Sequence, residues 1–333
     1  LRKWGKRGVS ALLRSQKREA FCLSWHRIGG VLPLNSPPNR LNVEVDMQSF
    51  CSQKRRLLSL LALAAILALG AAYATRGEAA SATPWTASTN SKVRLVAGRA
   101  GEEAGRERVS GIQLRMDPGW KTYWRNPGDS GMPPEFDWTG SKNLKSAEVL
   151  YPAPRRFDDA GGVAVGYGED VLFPVKLMPA RESEPIELKV AFSYGLCKDL
   201  CIPNEVNLSL NLPADGEKGE SLLVETALAQ VPKPAKVGLL PEVAGVEAKL
   251  DGDAPKLVVD AVFPQGATGI DLFIDGGEAY VPVPKPLGAA EDGKQRFTVA
   301  FISAEEAAAI KGKTLRLTLV SDQGSTETMW KAE

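Results

Sequence analysis

Ile186-Glu-Leu-Lys-Val-Ala-Phe-Ser-Tyr-Gly-Leu-Cys-Lys-Asp-Leu-Cys-Ile-Pro203 carries an apolar side chain at every second position from Ile186 to Tyr194. It then brings two cysteines, Cys197 and Cys201, close together in the chain. Alternation with period two is the signature of a strand that buries one face. The run places a cysteine pair at a strand end, in the turn that leads into a second alternating run, Glu205–Leu212. Such a turn can bring two sulfurs within bonding range.

The same pattern extends outward on both sides. Lys92–Ala97, Val109–Met116, Lys121–Trp124, Ala147–Leu150 and Val171–Leu177 read as further short strands, separated by Gly, Pro, Asn and Asp. Seven or so such strands predict an all-β, immunoglobulin-like antiparallel β-sandwich over residues 83–213. Residues 214–238 read as a linker: a polar turn, a short helix over Ser221–Gln230 with Leu222, Leu223 and Leu228 inward, and a stop at Val231-Pro-Lys-Pro234. Residues 239–333 repeat the strand style at Leu257–Val262, Ile270–Ile274, Arg296–Ile302 and Leu315–Ser321, which predicts a second, smaller β-rich domain. Within it, Ser303-Ala-Glu-Glu306 fits the capping box of a short helix ending near Gly312.

The N-terminal portion bears on location. The first methionine is Met47, and residues 1–46 show no sustained period, so they read as upstream sequence rather than a domain. Residues 47–82 have the three parts of a secretory signal peptide. Lys54, Arg55 and Arg56 are followed by apolar and small residues from Leu57 to Ala72, and Ala72-Tyr-Ala74 and Ala80-Ser-Ala82 both fit cleavage. The apolar run is shorter than the about 20 residues that a membrane span needs. The expectation is a cleaved signal and a mature protein that acts outside the cytoplasm.

Removal of residues 1–82 takes away 13 of 41 Lys and Arg but only 4 of 40 Asp and Glu, which leaves a formal charge of −8. An acidic body argues against nucleic acid as a partner, because phosphate binding requires a basic face. The single histidine, His26, also lies in that segment. Without it, histidine-based nucleophile systems are excluded and the usual zinc sites are disfavoured, since two thiolates would need carboxylate co-ligands; exchange through the sulfurs themselves would need no organic cofactor. Cys22 and Cys51 fall in the same segment, leaving Cys197 and Cys201 as the only thiols.

From the residues alone, three roles for the pair stay open: redox exchange, a structural staple or a metal site. A staple closing about five residues removes only about 2 kcal/mol of unfolded-chain entropy. A domain of this size builds its own core, and short turn-located disulfides are the more readily reduced ones. A thioredoxin-type site is disfavoured, since it needs Cys-x-x-Cys at a helix start in a βαβ setting. Lys198 favours a thiolate and Asp199 opposes one.

Several segments, in order, resemble one family. They are Gly119-Trp-Lys-Thr-Tyr-Trp-Arg-Asn-Pro-Gly-Asp-Ser-Gly-Met-Pro-Pro134, Phe136-Asp-Trp138, Tyr151-Pro-Ala-Pro-Arg-Arg-Phe157, Gly166-Tyr167, Val171-Leu-Phe-Pro174 and Tyr194–Pro203. Together they resemble the N-terminal periplasmic domain of the thiol:disulfide interchange protein DsbD, nearest to the ScsB-like branch linked with copper tolerance and, more widely, with cytochrome c biogenesis. The resemblance implies a periplasmic electron shuttle that takes electrons from a membrane-embedded thiol reductase and passes them to periplasmic thioredoxin-fold proteins. It implies Cys197 and Cys201 as the redox pair, with Cys201 exchanging and Cys197 resolving. It also implies an aromatic cap loop over the sulfurs, for which Phe157–Tyr167, with Phe157 or Tyr167 as the cover, is the candidate. The sequence contains neither the family's polytopic membrane domain nor its thioredoxin-like domain, so the expectation is either a separate polypeptide as electron donor or a chain that has lost reductive function and binds something else.

Trp120, Tyr123, Trp124 and Trp138 crowd one stretch, read either as core packing or as a sugar-stacking platform. Tyr123, Arg125 and Asp129 are candidate partner contacts near the cysteines. Two rivals to exchange are a non-catalytic envelope binding module with a structural disulfide, and copper handling through Cu(I)–thiolate bonding. Met116, Met132, Met178 and Met329 form no motif with the cysteines.

Overall fold

A computed structural model describes residues 81–98, 107–159, 162–214 and 221–333. The expected upstream segment and nearly all of the expected signal peptide lie outside the described residues.

The alternation of the 186–203 run becomes the spine of a sandwich. Its strands are β1 (Thr86–Ser88), β2 (Ser91–Ala97), β3 (Arg108–Met116), β4 (Lys121–Gly128), β5 (Glu135–Asp137), β6 (Leu144–Val149), β7 (Arg155–Asp159), β8 (Gly162–Gly168), β9 (Asp170–Pro179), β10 (Ile186–Cys197) and β11 (Cys201–Leu212). One sheet runs β1-β2-β3-β9-β6; the other runs β11-β10-β4-β8-β7, with β5 also paired to β10. All pairings in both sheets are antiparallel. The fold is all-β and immunoglobulin-like, with a second β domain after it.

The β10–β11 hairpin runs in unbroken register from Ile186↔Leu212 to Cys197↔Cys201. Ile186, Leu188, Val190, Phe192, Tyr194 and Leu196 are all buried, as are Val206, Leu208, Leu210 and Leu212 across from them. Each fully buried side chain of this kind stabilises the fold by about 1.5–3 kcal/mol. Phe136, Phe192 and Tyr194 form a continuous stack, with ring centroids 4.9 and 4.5 Å apart, and Phe173 meets the stack edge-on. The predicted strands of this domain all form, most of them extended by one to a few residues.

The second domain begins after α1 (Ser221–Ala229) and contains β12 (Lys233–Pro234), β13 (Glu242–Lys249), β14 (Lys256–Val262), β15 (Asp271–Asp275), β16 (Lys285–Pro286), β17 (Lys294–Ala300), α2 (Ala304–Ala308), β18 (Thr314–Ser321) and β19 (Gly324–Lys331). Its sheets run β12-β19-β18-β15 and β13-β14-β17-β16. Leu257, Val259, Phe297, Val299, Leu315, Leu317 and Leu319 fill the space between them. Ser303 caps α2 by accepting from the Glu306 N–H, while the Glu306 carboxylate reaches back to the Ile302 N–H. Among the described residues, no helix is long and apolar enough to cross a membrane.

Two readings of the sequence need correction. In α1, Val224 and Ala227 face inward, against Val96, Val109 and Leu172, whereas Leu222 is 74% exposed. Val224, Ala227 and Leu228 share one helical stripe, and Leu222 lies on the opposite side of it. The glycine-rich segment from Phe157 to Tyr167 is largely hairpin rather than loop, with Arg155↔Gly166 and Phe157↔Ala164 paired across β7 and β8. Gly166 explains this. A Cβ there would lie 1.9 Å from the Thr122 carbonyl oxygen, so glycine is what allows β8 to approach β4.

Candidate functional site

β10 is buried from Tyr194 through Cys197, and its last two residues pair with β4 at Leu196↔Thr122 and Cys197↔Lys121. The Thr122 hydroxyl donates to the Gly195 carbonyl at 2.8 Å and ties the strand ends together. Lys198-Asp-Leu200 then reverses the chain, so that Cys197 and Cys201 face each other across the hairpin and form a disulfide. Their surroundings are unequal. Cys197 is 4% exposed and packs with Tyr123 and Ala164, whereas Cys201 is exposed.

Tyr123 is the residue beneath the pair. It is 1% exposed, and its phenol oxygen sits 3.3 Å from the Cys201 sulfur. Two glycines make room for its ring. A Cβ on Gly131 would fall 2.3 Å from Tyr123 Cε1, and one on Gly195 would fall 3.1 Å from Cε2. Gly131 also has φ +140°, a conformation open to glycine at little cost. From the sequence Gly131 reads only as a turn residue beside the aromatic cluster, and Gly195 does not stand out. The available signal was Gly195 itself, a glycine inside an otherwise strictly alternating strand two residues before Cys197.

Of the two proposed covering aromatics, only Phe157 lies on the cysteine side. It packs half-buried against Tyr123, Ala164 and Cys197, with Lys121 Nζ 5.8 Å and the Arg155 guanidinium 5.7 Å from its ring centroid. Tyr167 does not cover the sulfurs. Strand alternation turns it to the other face of β8, into the sandwich core, where its hydroxyl donates to the Pro152 carbonyl. Burial pushes its pKa well above the usual tyrosine value. Desolvation likewise pushes neighbouring Tyr151 up to about 12, against the opposing pull of the Arg125 charge.

The other two expected partner contacts are engaged within the chain. Arg125, 16% exposed, pairs with Asp275 at 3.0 Å and with Glu327, and its guanidinium lies 4.4 Å from the Trp124 ring centroid. Asp129 accepts from the Val163 N–H at 2.8 Å and from the Tyr280 hydroxyl at 3.3 Å. The tryptophans form no exposed platform: Trp124 is buried in the core, and Trp120 and Trp138 pack against it.

The hairpin end exposes apolar side chains beside the charged Lys198 and Asp199 of its turn. Leu200, beside Cys201, is 69% exposed, and Met132 is partly exposed next to Gly195. Among the described residues, no group of three or more His, Cys, Asp or Glu side chains gathers as a metal site. The arrangement can present one sulfur to an incoming disulfide or thiol while withholding the other.

None of the curated proteins matches the chain. Among solved structures, the N-terminal periplasmic domain of ScsB from Proteus mirabilis aligns over 76% of this chain and 98% of its own, at 24% identity and a TM-score of 0.59, which establishes a shared fold. Residues 95–213, a span that takes in both cysteines, match the family described as "Thiol:disulfide interchange protein DsbD, N-terminal".

Proposed function

We propose that this chain is an extracytoplasmic thiol–disulfide exchange protein. It receives electrons from a membrane-embedded thiol reductase and delivers them to disulfides of periplasmic thioredoxin-fold proteins. The observation that carries this reading is the asymmetry of the pair: Cys201 is open at the hairpin end, whereas Cys197 is enclosed by Tyr123, Ala164 and Phe157. Similarity to the interchange family supports it.

In the forward step the reduced Cys201 thiolate attacks a sulfur of the partner disulfide. A Cys201–partner bond forms and the partner's second sulfur leaves as a thiolate. Cys197 then attacks Cys201, closing the Cys197–Cys201 disulfide and releasing the partner as a dithiol. Two electrons have moved to the partner, and a donor dithiol restores the pair by the reverse sequence. The electrons travel in the sulfurs.

Export follows from the signal-like residues 47–82, and the pairing of the chain bears on where cleavage falls. The Ser81 carbonyl accepts from Ala97 N–H at 2.7 Å, and Ala82 bridges to Val96. Cleavage after Ala74 keeps these bonds, and cleavage after Ala82 removes them.

The test is trapping. Cys197→Ser should accumulate a mixed disulfide with an oxidised thioredoxin-fold partner, and Cys201→Ser should form none. Accumulation in the Cys201 variant instead would reverse the assignment, and accumulation in neither would argue for a structural disulfide.

A further inference from the structure

The two aromatics at the cysteine pair sit on β4 and β7, and a single strand of the second domain, β15, contacts their neighbours in the chain on both strands. β4 pairs with β8 at Lys121↔Gly168, Thr122↔Tyr167 and Tyr123↔Gly166, and resumes only at Gly128↔Ala164. The residues between leave the ladder immediately after Tyr123. Such an excursion needs partners elsewhere for its polar groups.

β15 meets this stretch side chain by side chain. Trp124 meets Phe273 edge-on at 6.0 Å, Asn126 Nδ2 donates to the Ile274 carbonyl at 2.6 Å, and Arg125 pairs with Asp275 at 3.0 Å. Glu327 of β19 joins from the side, shared between Arg125 and Arg316. At its other end β15 holds β7. The Arg156 guanidinium grips the Asp271 carboxylate through two bonds, Nε to Oδ2 at 2.9 Å and Nη2 to Oδ1 at 2.6 Å, and also donates to the Pro284 carbonyl. Arg156 directly precedes Phe157. β7 is the edge of its sheet, bonded only to β8, so this fork replaces a missing neighbour strand. Bidentate, charge-assisted pairs of this kind fix geometry as well as supplying energy.

We propose that the second domain is a positioning element for the cysteine pair: β15, through Arg125, Asn126 and Arg156, holds Tyr123 and Phe157 in place so that Cys197 stays enclosed and Cys201 is the open sulfur. These three are positioning residues, acting through the two aromatics. The proposal draws its meaning from the exchange reading above, but its test reads thiol enclosure alone, so either can fail without the other.

The experiment uses the full chain with Cys22 and Cys51 changed to serine, in two reduced single-thiol backgrounds, Cys201→Ser and Cys197→Ser. Reaction with the small disulfide DTNB reports how enclosed each remaining thiol is. Arg156→Gln should speed the Cys197 reaction by about tenfold and change the Cys201 reaction by less than about twofold. Asn126→Ala, which removes a bond but no charge, should act in the same direction and serves where the arginine variant does not fold. The charge-swapped pair Arg156→Asp with Asp271→Arg should restore the slow Cys197 rate. An unchanged Cys197 rate in folded variants overturns the proposal. Equal acceleration of both thiols also overturns it, because that would be general loosening rather than positioning.

Discussion

The Tyr123 phenol oxygen lies 3.3 Å from the Cys201 sulfur, on a ring packed against Cys197, so one buried side chain touches both halves of the disulfide. When the pair is reduced, the same hydroxyl can donate to a Cys201 thiolate. Tyr123→Phe keeps the ring and removes the donor. It should leave thermal stability within about 1 kcal/mol of the parent and slow the attack of Cys201 on DTNB at neutral pH by about threefold to tenfold. Stopped-flow measurement on the Cys197→Ser background checks this, and an unchanged rate would mean that the hydroxyl serves packing alone.

Leu200 should anchor the protein partner. It is 69% exposed beside the open sulfur, and covering an exposed leucine with a partner removes apolar area from water at about 25 cal/mol per Å². Leu200→Ser, which removes the apolar contact without adding charge, is expected to slow exchange with a thioredoxin-fold disulfide by about tenfold, while the rate with DTNB stays near the parent value. Parallel slowing of both reactions would indicate damage to the cysteines themselves.

Gly166→Ala should be among the most damaging small substitutions. The added methyl would sit 1.9 Å from the Thr122 carbonyl oxygen and 2.8 Å from Tyr123 Cα. Backbone would have to give way on both sides, at about 2 kcal/mol or more. Denaturant unfolding measures the loss, and the displaced β4 should also expose Cys197. By comparison, Phe192→Ala, which empties the middle of the aromatic stack, should cost about 3–5 kcal/mol without changing which sulfur is open.

High pH should weaken the fold through the buried tyrosines. Tyr151 is raised to about 12, first by desolvation, and Tyr167 is also raised well above the usual tyrosine value, first by its burial. An unfolded tyrosine loses its proton near about pH 10. Above that value the unfolded chain sheds protons that the folded chain keeps, so the stability these two tyrosines contribute is fully present below about pH 10 and is lost as pH rises toward about 12 and beyond. Tyr151→Phe should make that decline shallower. Thermal midpoints taken across this range decide it, and an equally steep decline in the variant would contradict the assignment.

The spine of the sandwich was legible because β10 and β11 alternate strictly, and a period of two has one physical meaning on a strand with one buried face. β7 and β8 were not. Their glycines weaken the strand signal, yet Gly166 is there because β4 comes too close for any side chain. β19 escaped notice because most of its side chains are only partly buried or exposed. At the site, the cysteines and Phe157 stood out by residue type and order. Arg125 and Asp129 were read as surface contacts because their partners, Glu327 and Tyr280, lie 202 and 151 positions away along the chain, where no local pattern points. Strand alternation alone would have sent Tyr167 and Ala164 to opposite faces, but that reading requires first knowing that the segment is a strand.

The most direct measurement is the reduction potential of the Cys197–Cys201 pair. The protein is equilibrated in graded thiol/disulfide buffers, free thiols are trapped by alkylation, and they are counted by mass. A potential well above about −300 mV, with exchange to an oxidised thioredoxin-fold protein, is the predicted result. A potential below about −300 mV without exchange would place the pair among structural disulfides and contradict the account.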